Sequence, residues 1–194
     1  MDERNRFLEE LKAKGGFVRT GGLSRRDYKL LLAAVSAGEV HRLRQGIYVL
    51  KDALADIMID VDSVVPGGVV CLYSAFEHYN LSTVIPSAYC IAVSSKRKVR
   101  LPSYPLIDLF YWKKENLDFG IVGTEISGYQ VRITDVERTV CDAVKYRNKI
   151  GLDVCTEVIN SYIASCRLNI TALRKYAAKL RVLNVLDRYL EARL

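Results

Sequence analysis

The organisation of the first fifty residues follows from one stretch, Glu39-Val-His-Arg-Leu-Arg44, Gln45-Gly46 and Ile47-Tyr-Val-Leu50. Two short candidate strands flank a two-residue turn that contains glycine, which is the spacing of a β-hairpin. A predicted helix that ends at Gly38 comes directly before them. A helix, a tight turn and a two-stranded hairpin in this order predict a winged helix.

The predicted helix opens with Ser24, a favoured N-cap residue, and Asp27 three residues later completes a capping-box pattern. Helical spacing predicts one apolar face, made of Tyr28, Leu31, Leu32 and Val35. The adjacent face is basic at its start and small further along, with Arg25, Arg26, Lys29, Ala33 and Ser36. Long basic side chains reach phosphates or guanine edges and small ones permit a close approach, so this face suits the major groove of DNA.

The candidate DNA contacts come from the helix, the hairpin and the segment before the helix. They are Arg19, Thr20, Arg25, Arg26, Lys29, His41, Arg42 and Arg44. Most protein–DNA hydrogen bonds go to the sugar-phosphate backbone, so we expect phosphate contacts rather than base contacts from Arg42 and Arg44. The alternatives are a solvated helix face for the helix cations and a solvated loop for Arg19 and Thr20.

Positive charge is concentrated at this end of the chain. The formal net charge is +7, from 29 Lys and Arg against 22 Asp and Glu, and residues 1–51 hold 11 of the basic and 6 of the acidic residues. An excess of positive charge is what binding to a phosphate backbone requires, so double-stranded DNA is the leading candidate partner. A soluble basic surface without a nucleic-acid partner would also fit the net charge.

The cysteines and the apolar runs indicate the compartment of the protein and whether it binds a metal or a membrane. The five cysteines are widely spaced and lie among apolar neighbours, which predicts buried thiols and no metal site: Cys71, Cys90, Cys141, Cys155 and Cys166. Scattered cysteines without a signal peptide favour the reducing cytoplasm. No apolar run approaches the roughly 20 residues of a membrane span, so we expect no membrane partner. Nothing in the sequence predicts a cofactor.

Beyond Lys51 the sequence predicts a connector and a second domain. Residues 52–64 are acidic and apolar and are predicted to connect the domains, with one helical turn; Pro66-Gly67-Gly68 then interrupts the chain. Within residues 65–194, strands are predicted at 89–94, 106–112 and 129–133, and four helical segments follow within 136–192. The predicted fold class is α+β: a winged helix-turn-helix domain at 1–51, then a mixed α+β domain with C-terminal helices at 65–194.

Two motifs near the predicted helices have structural explanations. Thr134 and Glu137 fit a capping box, with Thr134 as the N-cap. Arg138 and Asp142 are four residues apart and are predicted to form an ion pair, worth about 0.3–0.5 kcal/mol if exposed.

The sequence gives little support for a catalytic site. Ser74 and His78 share a predicted helix face, but no oriented acid or oxyanion pattern accompanies them, and His78 is predicted to be a half-buried structural histidine. Asp108 and Lys113 resemble part of a nuclease core without the second carboxylate that metal-dependent cleavage needs. The sequence therefore favours a binding protein over an enzyme such as a nuclease recruited by a winged helix.

A second basic cluster, Lys96-Arg97-Lys98 with Arg100, follows the strand predicted at 89–94. Such clusters are most often solvated loops. The functional alternative is a clamp on RNA, DNA or an acidic partner.

Three motifs in the same order resemble the AbiEi family of antitoxins. They are Gly46-Ile47-Tyr48 after the hairpin turn, Ser74-Ala75-Phe76 with Asn80-Leu81-Ser82 and Pro86, and Thr134 with Glu137-Arg138-Thr139 and Asp142. The family has Gly-x-Tyr in the first place, Ser-Ala-Leu, Gly-Leu-Thr and Pro in the second, and Glu-Arg-Thr and Asp in the third. The resemblance extends from about Phe17 to Tyr162 and departs at Thr20-Gly-Gly-Leu23, which is too short for a full second helix of a helix-turn-helix.

The resemblance implies an antitoxin of a type IV toxin–antitoxin (abortive infection) system. Its N-terminal domain would bind an inverted-repeat operator and repress its own promoter, with self-association on DNA. Its C-terminal domain would counteract a nucleotidyltransferase-like toxin. The alternative is a stand-alone winged-helix transcriptional regulator whose C-terminal domain senses a ligand or oligomerises.

Overall fold

The structure is a computed structural model, which describes residues 3–51, 61–101, 106–126, 128–165 and 168–191. The chain divides into two compact units. The first comprises residues 1–66, 99–106 and 126–129, and the second comprises residues 67–98, 107–125 and 130–194. Most of the predicted connector, residues 52–60, lies outside the described residues, and its single predicted helical turn corresponds to a short helix at 61–64.

The first unit combines helices with a small antiparallel sheet. Its elements are α1 (Glu3–Ala13), β1 (Phe17–Arg19), a 3₁₀ turn (Thr20–Gly22), α2 (Arg25–Ser36), β2 (Val40–Arg44), β3 (Ile47–Leu50) and α3 (Val61–Val64). The three strands lie in the order β1-β3-β2, with all neighbours antiparallel. Gly46 provides the positive φ of +80° that the turn between β2 and β3 requires.

The orientation of α2 differs from the prediction. Ser24 caps the helix as expected, because its hydroxyl oxygen accepts a hydrogen bond from the Asp27 N–H at 3.1 Å. Leu31 and Ala34 are fully buried, whereas Tyr28 and Leu32 are 40% and 41% exposed. The prediction that Tyr28 and Leu32 belong to the buried face is therefore wrong. The core that α2 meets also contains Phe7 and Leu11 of α1, and the small Ala34 lets the helix approach it closely.

The second unit is built on a five-stranded mixed sheet. Its strands are β4 (Val69–Val70), β5 (Tyr89–Ser94), β6 (Ile107–Trp112), β7 (Ile121–Ile126) and β8 (Tyr129–Thr134). They lie in the order β6-β5-β4-β8-β7. β4 is antiparallel to β5 and parallel to β8, and β5 is parallel to β6. The predicted strands at β5, β6 and β8 are confirmed, whereas β7 had no predicted counterpart.

Five helices of this unit are α4 (Leu72–His78), α5 (Val136–Ile150), α6 (Leu152–Ala164), α7 (Ile170–Lys179) and α8 (Leu183–Glu191). The four predicted C-terminal helices are confirmed to within a few residues. α5 packs against α6 and α7 over a core that includes Phe76, Val140, Val158 and Leu173. The helices α5 to α8 follow the strands along the chain, and together with the mixed sheet they confirm the α+β class. Among the described residues, no helix has the length and apolar character needed to cross a membrane.

α5 begins at Val136 as predicted, but its N-cap lies one residue later than predicted. Asp135, not Thr134, is the N-cap, and its carboxylate accepts a hydrogen bond from the Arg138 N–H at 2.8 Å. Thr134 is instead buried at the end of β8, where its hydroxyl oxygen lies 2.7 Å from that of Thr139. The capping-box prediction for Thr134 is wrong because a strand continues through that residue and leaves the acidic side chain to cap the helix.

Candidate nucleic-acid interface

The exposed face of α2 carries the three predicted helix cations. Arg25, Arg26 and Lys29 are all exposed. Arg26 forms an ion pair with Glu3 at the start of α1, so part of its charge is already neutralised within the first unit. Within the described ranges, no carboxylate lies within ion-pair distance of Arg25 or Lys29. These two side chains are therefore the helix cations best placed to meet a phosphate.

The same face carries the small side chains predicted for it, Ala33 and Ser36, and also two side chains that were predicted on the apolar face, Tyr28 and Leu32. Tyr28 and Leu32 lie beside the cations, followed by the exposed Ala33 and Ser36. The Ser36 hydroxyl donates a hydrogen bond to the Leu32 carbonyl at 3.1 Å and so does not project freely. The face is therefore cationic from Arg25 to Lys29, with Tyr28 beside the cations, and apolar or small from Leu32 to Ser36.

The hairpin supplies two further exposed side chains, His41 and Arg42 on β2. His41 pairs in register with Val49 and Arg42 with Tyr48, and the register shifts between Arg42 and Arg44. Such an irregularity increases the local twist of a strand and redirects the side chains beside it. The backbone of Arg44 belongs to β2, but its predicted side-chain contact lies outside what the structure describes.

Thr20 joins the segment before α2 to the hairpin turn. Its N–H donates to the Gly46 carbonyl at 2.9 Å, and its hydroxyl donates to the same oxygen at 3.4 Å. A Cβ atom at residue 46 would lie 3.2 Å from the Thr20 hydroxyl oxygen, so glycine permits this close approach. Thr20 therefore has a structural role that the sequence did not predict. Its neighbour Arg19 is exposed on β1.

The second basic cluster follows β5 directly. Lys96, Lys98 and Arg100 are exposed and Arg97 is half-buried. The Arg97 N–H donates to the Ser94 carbonyl at 2.9 Å, which fixes a turn at the end of the strand. These observations fit both a solvated turn and a binding loop.

The ion pair predicted between Arg138 and Asp142 is confirmed, and both side chains are fully buried, so the free energy expected for an exposed pair does not apply. The Arg138 Nε atom lies 3.1 Å from both Asp142 carboxylate oxygens, and one terminal nitrogen donates to the carbonyls of Asn116 at 2.9 Å and Phe119 at 3.0 Å. The guanidinium carbon lies 4.7 Å from the centre of the Trp112 ring and 4.3 Å from that of Phe119. The pair is a structural element of the second unit.

Buried titratable groups around this pair have shifted pKa values. Burial raises the pKa of Asp142 to about 6, and the charge of Arg138 opposes that shift. Burial also raises the pKa of the Cys71, Cys90 and Cys141 thiols. These thiols are therefore protonated at neutral pH and unsuited to act as nucleophiles or metal ligands. Four cysteines are buried and free as predicted; Cys166 lies outside the described residues.

Ser74 and His78 each contact a different neighbour in the structure. The Ser74 hydroxyl accepts a hydrogen bond from the Cys90 N–H at 3.0 Å and so joins α4 to β5. His78 is half-buried, as predicted, and its ring meets the Tyr79 ring edge-on at 4.8 Å. No three His, Cys, Asp or Glu side chains in the described ranges are grouped so that they would hold a metal ion.

Glu157 of α6 holds the loop after α4, a contact that the sequence did not predict. Its carboxylate accepts hydrogen bonds from the Ser82 hydroxyl at 2.8 Å, the Thr83 N–H at 2.7 Å and the Thr83 hydroxyl at 2.8 Å. These bonds, the backbone one first, lower the pKa of Glu157. The loop continues to Ile85, whose side chain is 84% exposed.

No family model matches this chain, and a search of curated proteins gives no significant match. The resemblance to the AbiEi antitoxins therefore rests on the sequence motifs alone.

Proposed function

We propose that this protein is a DNA-binding regulator that acts through a winged helix in its first unit. The element order α1, β1, 3₁₀ turn, α2, β2, β3 supports this assignment, with the 3₁₀ turn at Thr20–Gly22 in place of a full second helix. α2 then serves as the recognition helix and β2 with β3 as the wing.

The exposed face of α2 is the observation that carries the proposal. Arg25 and Lys29 project from it near the start of the helix, where recognition helices contact base edges and phosphates. Arg42 and His41 are exposed on the adjoining hairpin. Cations on a helix and on a neighbouring hairpin suit the phosphates on the two sides of a groove.

Within this proposal the protein is a cytoplasmic autorepressor and antitoxin, as its resemblance to the AbiEi family suggests. The operator would be an inverted repeat that two copies occupy together. The second unit would counteract a nucleotidyltransferase-like toxin. Co-expression with such a toxin, encoded beside this gene, tests this half, because only an antitoxin restores growth.

A mobility-shift titration on the upstream region of the gene tests the DNA-binding half. We expect the wild-type protein to shift that duplex in preference to one of scrambled sequence, and the double variant Arg25→Ala, Lys29→Ala to lose most of this binding. The matched control is Lys175→Ala, which removes an exposed cation from α7. Equal binding to both duplexes, or an equal loss in the control, would contradict the proposal.

A further inference from the structure

Leu32 is an apolar side chain that the fold of the first unit leaves at the surface. It is 41% exposed, while its neighbours along the helix, Leu31 and Ala34, are fully buried. The core beneath α2 is thus filled without Leu32. Tyr28, one turn earlier, is 40% exposed.

Helical spacing aligns Leu32 with the cations that the proposed function uses. Arg25, Lys29, Leu32 and Ser36 follow one another at intervals of four, three and four residues, which places them along one line of the helix surface. Ala33 is exposed next to that line and has a side chain small enough to allow close contact. Leu32 therefore lies at the centre of the face that would enter a groove.

The charge of this face selects among the partners that an exposed leucine could meet. Arg25 and Lys29 both lie on the N-terminal side of Leu32, so a second copy of the same face packed in the same direction would bring like charges together. A polyanion with apolar groups inside its groove complements both features. Duplex DNA has this character, because each thymine presents a 5-methyl group in the major groove between the phosphate backbones.

We propose that Leu32 contacts thymine 5-methyl groups in the major groove, and that the preferred DNA site contains thymine where Leu32 lies. This inference rests on the proposed DNA binding and adds a residue that determines sequence preference. A leucine side chain has no hydrogen-bonding group, so it distinguishes bases by apolar contact alone. Thymine is the only one of the four bases that offers a methyl group for that contact.

The test compares two duplexes that differ only in these methyl groups. The full-length protein selects its preferred duplex from a random pool, and that duplex is resynthesised with uracil in place of every thymine. We expect the wild-type protein to bind the thymine duplex more tightly, by about fourfold for each methyl group contacted. The Leu32→Ala variant should bind both duplexes with nearly equal affinity.

A matched control and a structural check accompany the titrations. Leu152→Ala removes a leucine that is 59% exposed on α6, and it should keep the full preference for thymine. Circular dichroism and thermal melting should show that Leu32→Ala folds as the wild type does. Sedimentation at the concentrations of the titration should give the same mass for both.

The outcomes separate this inference from the function on which it rests. No binding to any duplex at low salt would overturn the proposed function and this inference together. Binding with no thymine preference would overturn the inference alone. A thymine preference that survives in Leu32→Ala would mean that DNA shape, not Leu32, causes the preference, and would overturn the inference. Loss of a dimer in that variant would also overturn the inference.

Discussion

Arg138 shows how one buried charge organises the second unit. Its guanidinium lies between the Trp112 and Phe119 rings and pairs with Asp142. Both charged side chains are about 1% exposed, so water does not compete for this ion pair. One of its terminal nitrogens donates to the carbonyls of Asn116 and Phe119, which lie between β6 and β7. This single side chain therefore holds the segment between β6 and β7, whose Leu117 and Phe119 also pack against the core.

Replacement of Arg138 by methionine should strongly destabilise the protein. The change leaves the Asp142 carboxylate buried without its partner, and breaking a buried pair in this way costs about 3–5 kcal/mol. Urea unfolding followed by circular dichroism measures the loss. The matched control is Arg174→Met, because Arg174 pairs with Asp187 at 2.9 Å but is 52% exposed. We expect a loss below about 1 kcal/mol there, and equal losses would contradict the prediction.

Gly120 is required next to Arg138. Its φ is +61°, and a Cβ atom there would lie 2.7 Å from the Arg138 Cβ atom. Gly120→Ala should lower the free energy of unfolding by about 1–3 kcal/mol from the backbone conformation alone, with the steric clash adding to this loss. Gly123→Ala is the control, since nothing lies within 4 Å of its Cβ position. Thermal melting of both variants distinguishes them, and similar melting temperatures would contradict the prediction.

The raised pKa of Asp142 makes stability depend on pH in a defined direction. Its pKa is about 6 in the folded protein, above the value near 3.9 expected in the unfolded chain. The folded state therefore binds this proton more readily, and the contribution of Asp142 to stability falls as pH rises from about 4 to about 6. Asp142→Asn should flatten the pH dependence of the unfolding free energy across that window. Parallel pH profiles for variant and wild type would rule out this linkage.

At the scale of the element, α2 shows where sequence periodicity reaches its limit. Its position, its cap at Ser24 and its exposed cations followed from the sequence. Its rotation did not, because Leu30, Leu31 and Leu32 are consecutive and the helical period fits more than one apolar stripe. The choice among stripes depends on the partners in the core, and these come from distant residues such as Phe7 and Tyr48.

Two adjacent leucines test the rotation of α2 directly. Leu31→Ala should lower the free energy of unfolding by about 2–5 kcal/mol, because it removes a fully buried side chain. Leu32→Ala should change it by less than about 0.5 kcal/mol, because that side chain is at the surface. Urea titrations of the two variants give the comparison. A reversed order would mean that the helix is rotated as the periodicity alone predicted.

The strands also divide into those that the sequence predicted and those that it missed. β5, β6 and β8 followed from apolar runs, and their ends agree with the sequence within one residue. β7 was missed because Ile121-Val-Gly-Thr-Glu-Ile126 lies at the sheet edge, is largely exposed and contains a glycine that weakens the strand pattern. β4 has only two residues, too few to show a period.

The candidate interface was predictable in its charges and not in its contacts. Arg25, Arg26 and Lys29 are exposed as expected of a basic helix face. The pairing of Arg26 with Glu3 depends on how α1 packs, and the bond from Thr20 to Gly46 depends on the hairpin. Both arise from tertiary structure, which local sequence does not encode.

At the scale of the whole molecule, the uneven charge distribution predicts a strong salt dependence of DNA binding. Each phosphate neutralised by a cation releases counterions, so the slope of log affinity against log salt changes by about 0.9 for each contact. Lys29→Ala should reduce the slope by about that amount, and Lys175→Ala should leave it unchanged. Fluorescence anisotropy over a salt series measures both. An unchanged slope for Lys29→Ala would remove that residue from the interface.

The position of β4 in the sheet has a consequence for biosynthesis. Val70 pairs with Ile91 in β5 and with Ile133 in β8, a strand about sixty residues further along the chain. While the ribosome is still translating that interval, one edge of Val69–Val70 has no partner within its own polypeptide. Such open edges invite association between nascent chains, so a translational pause before residue 133 would favour aggregation, and chaperone protection matters most during that interval.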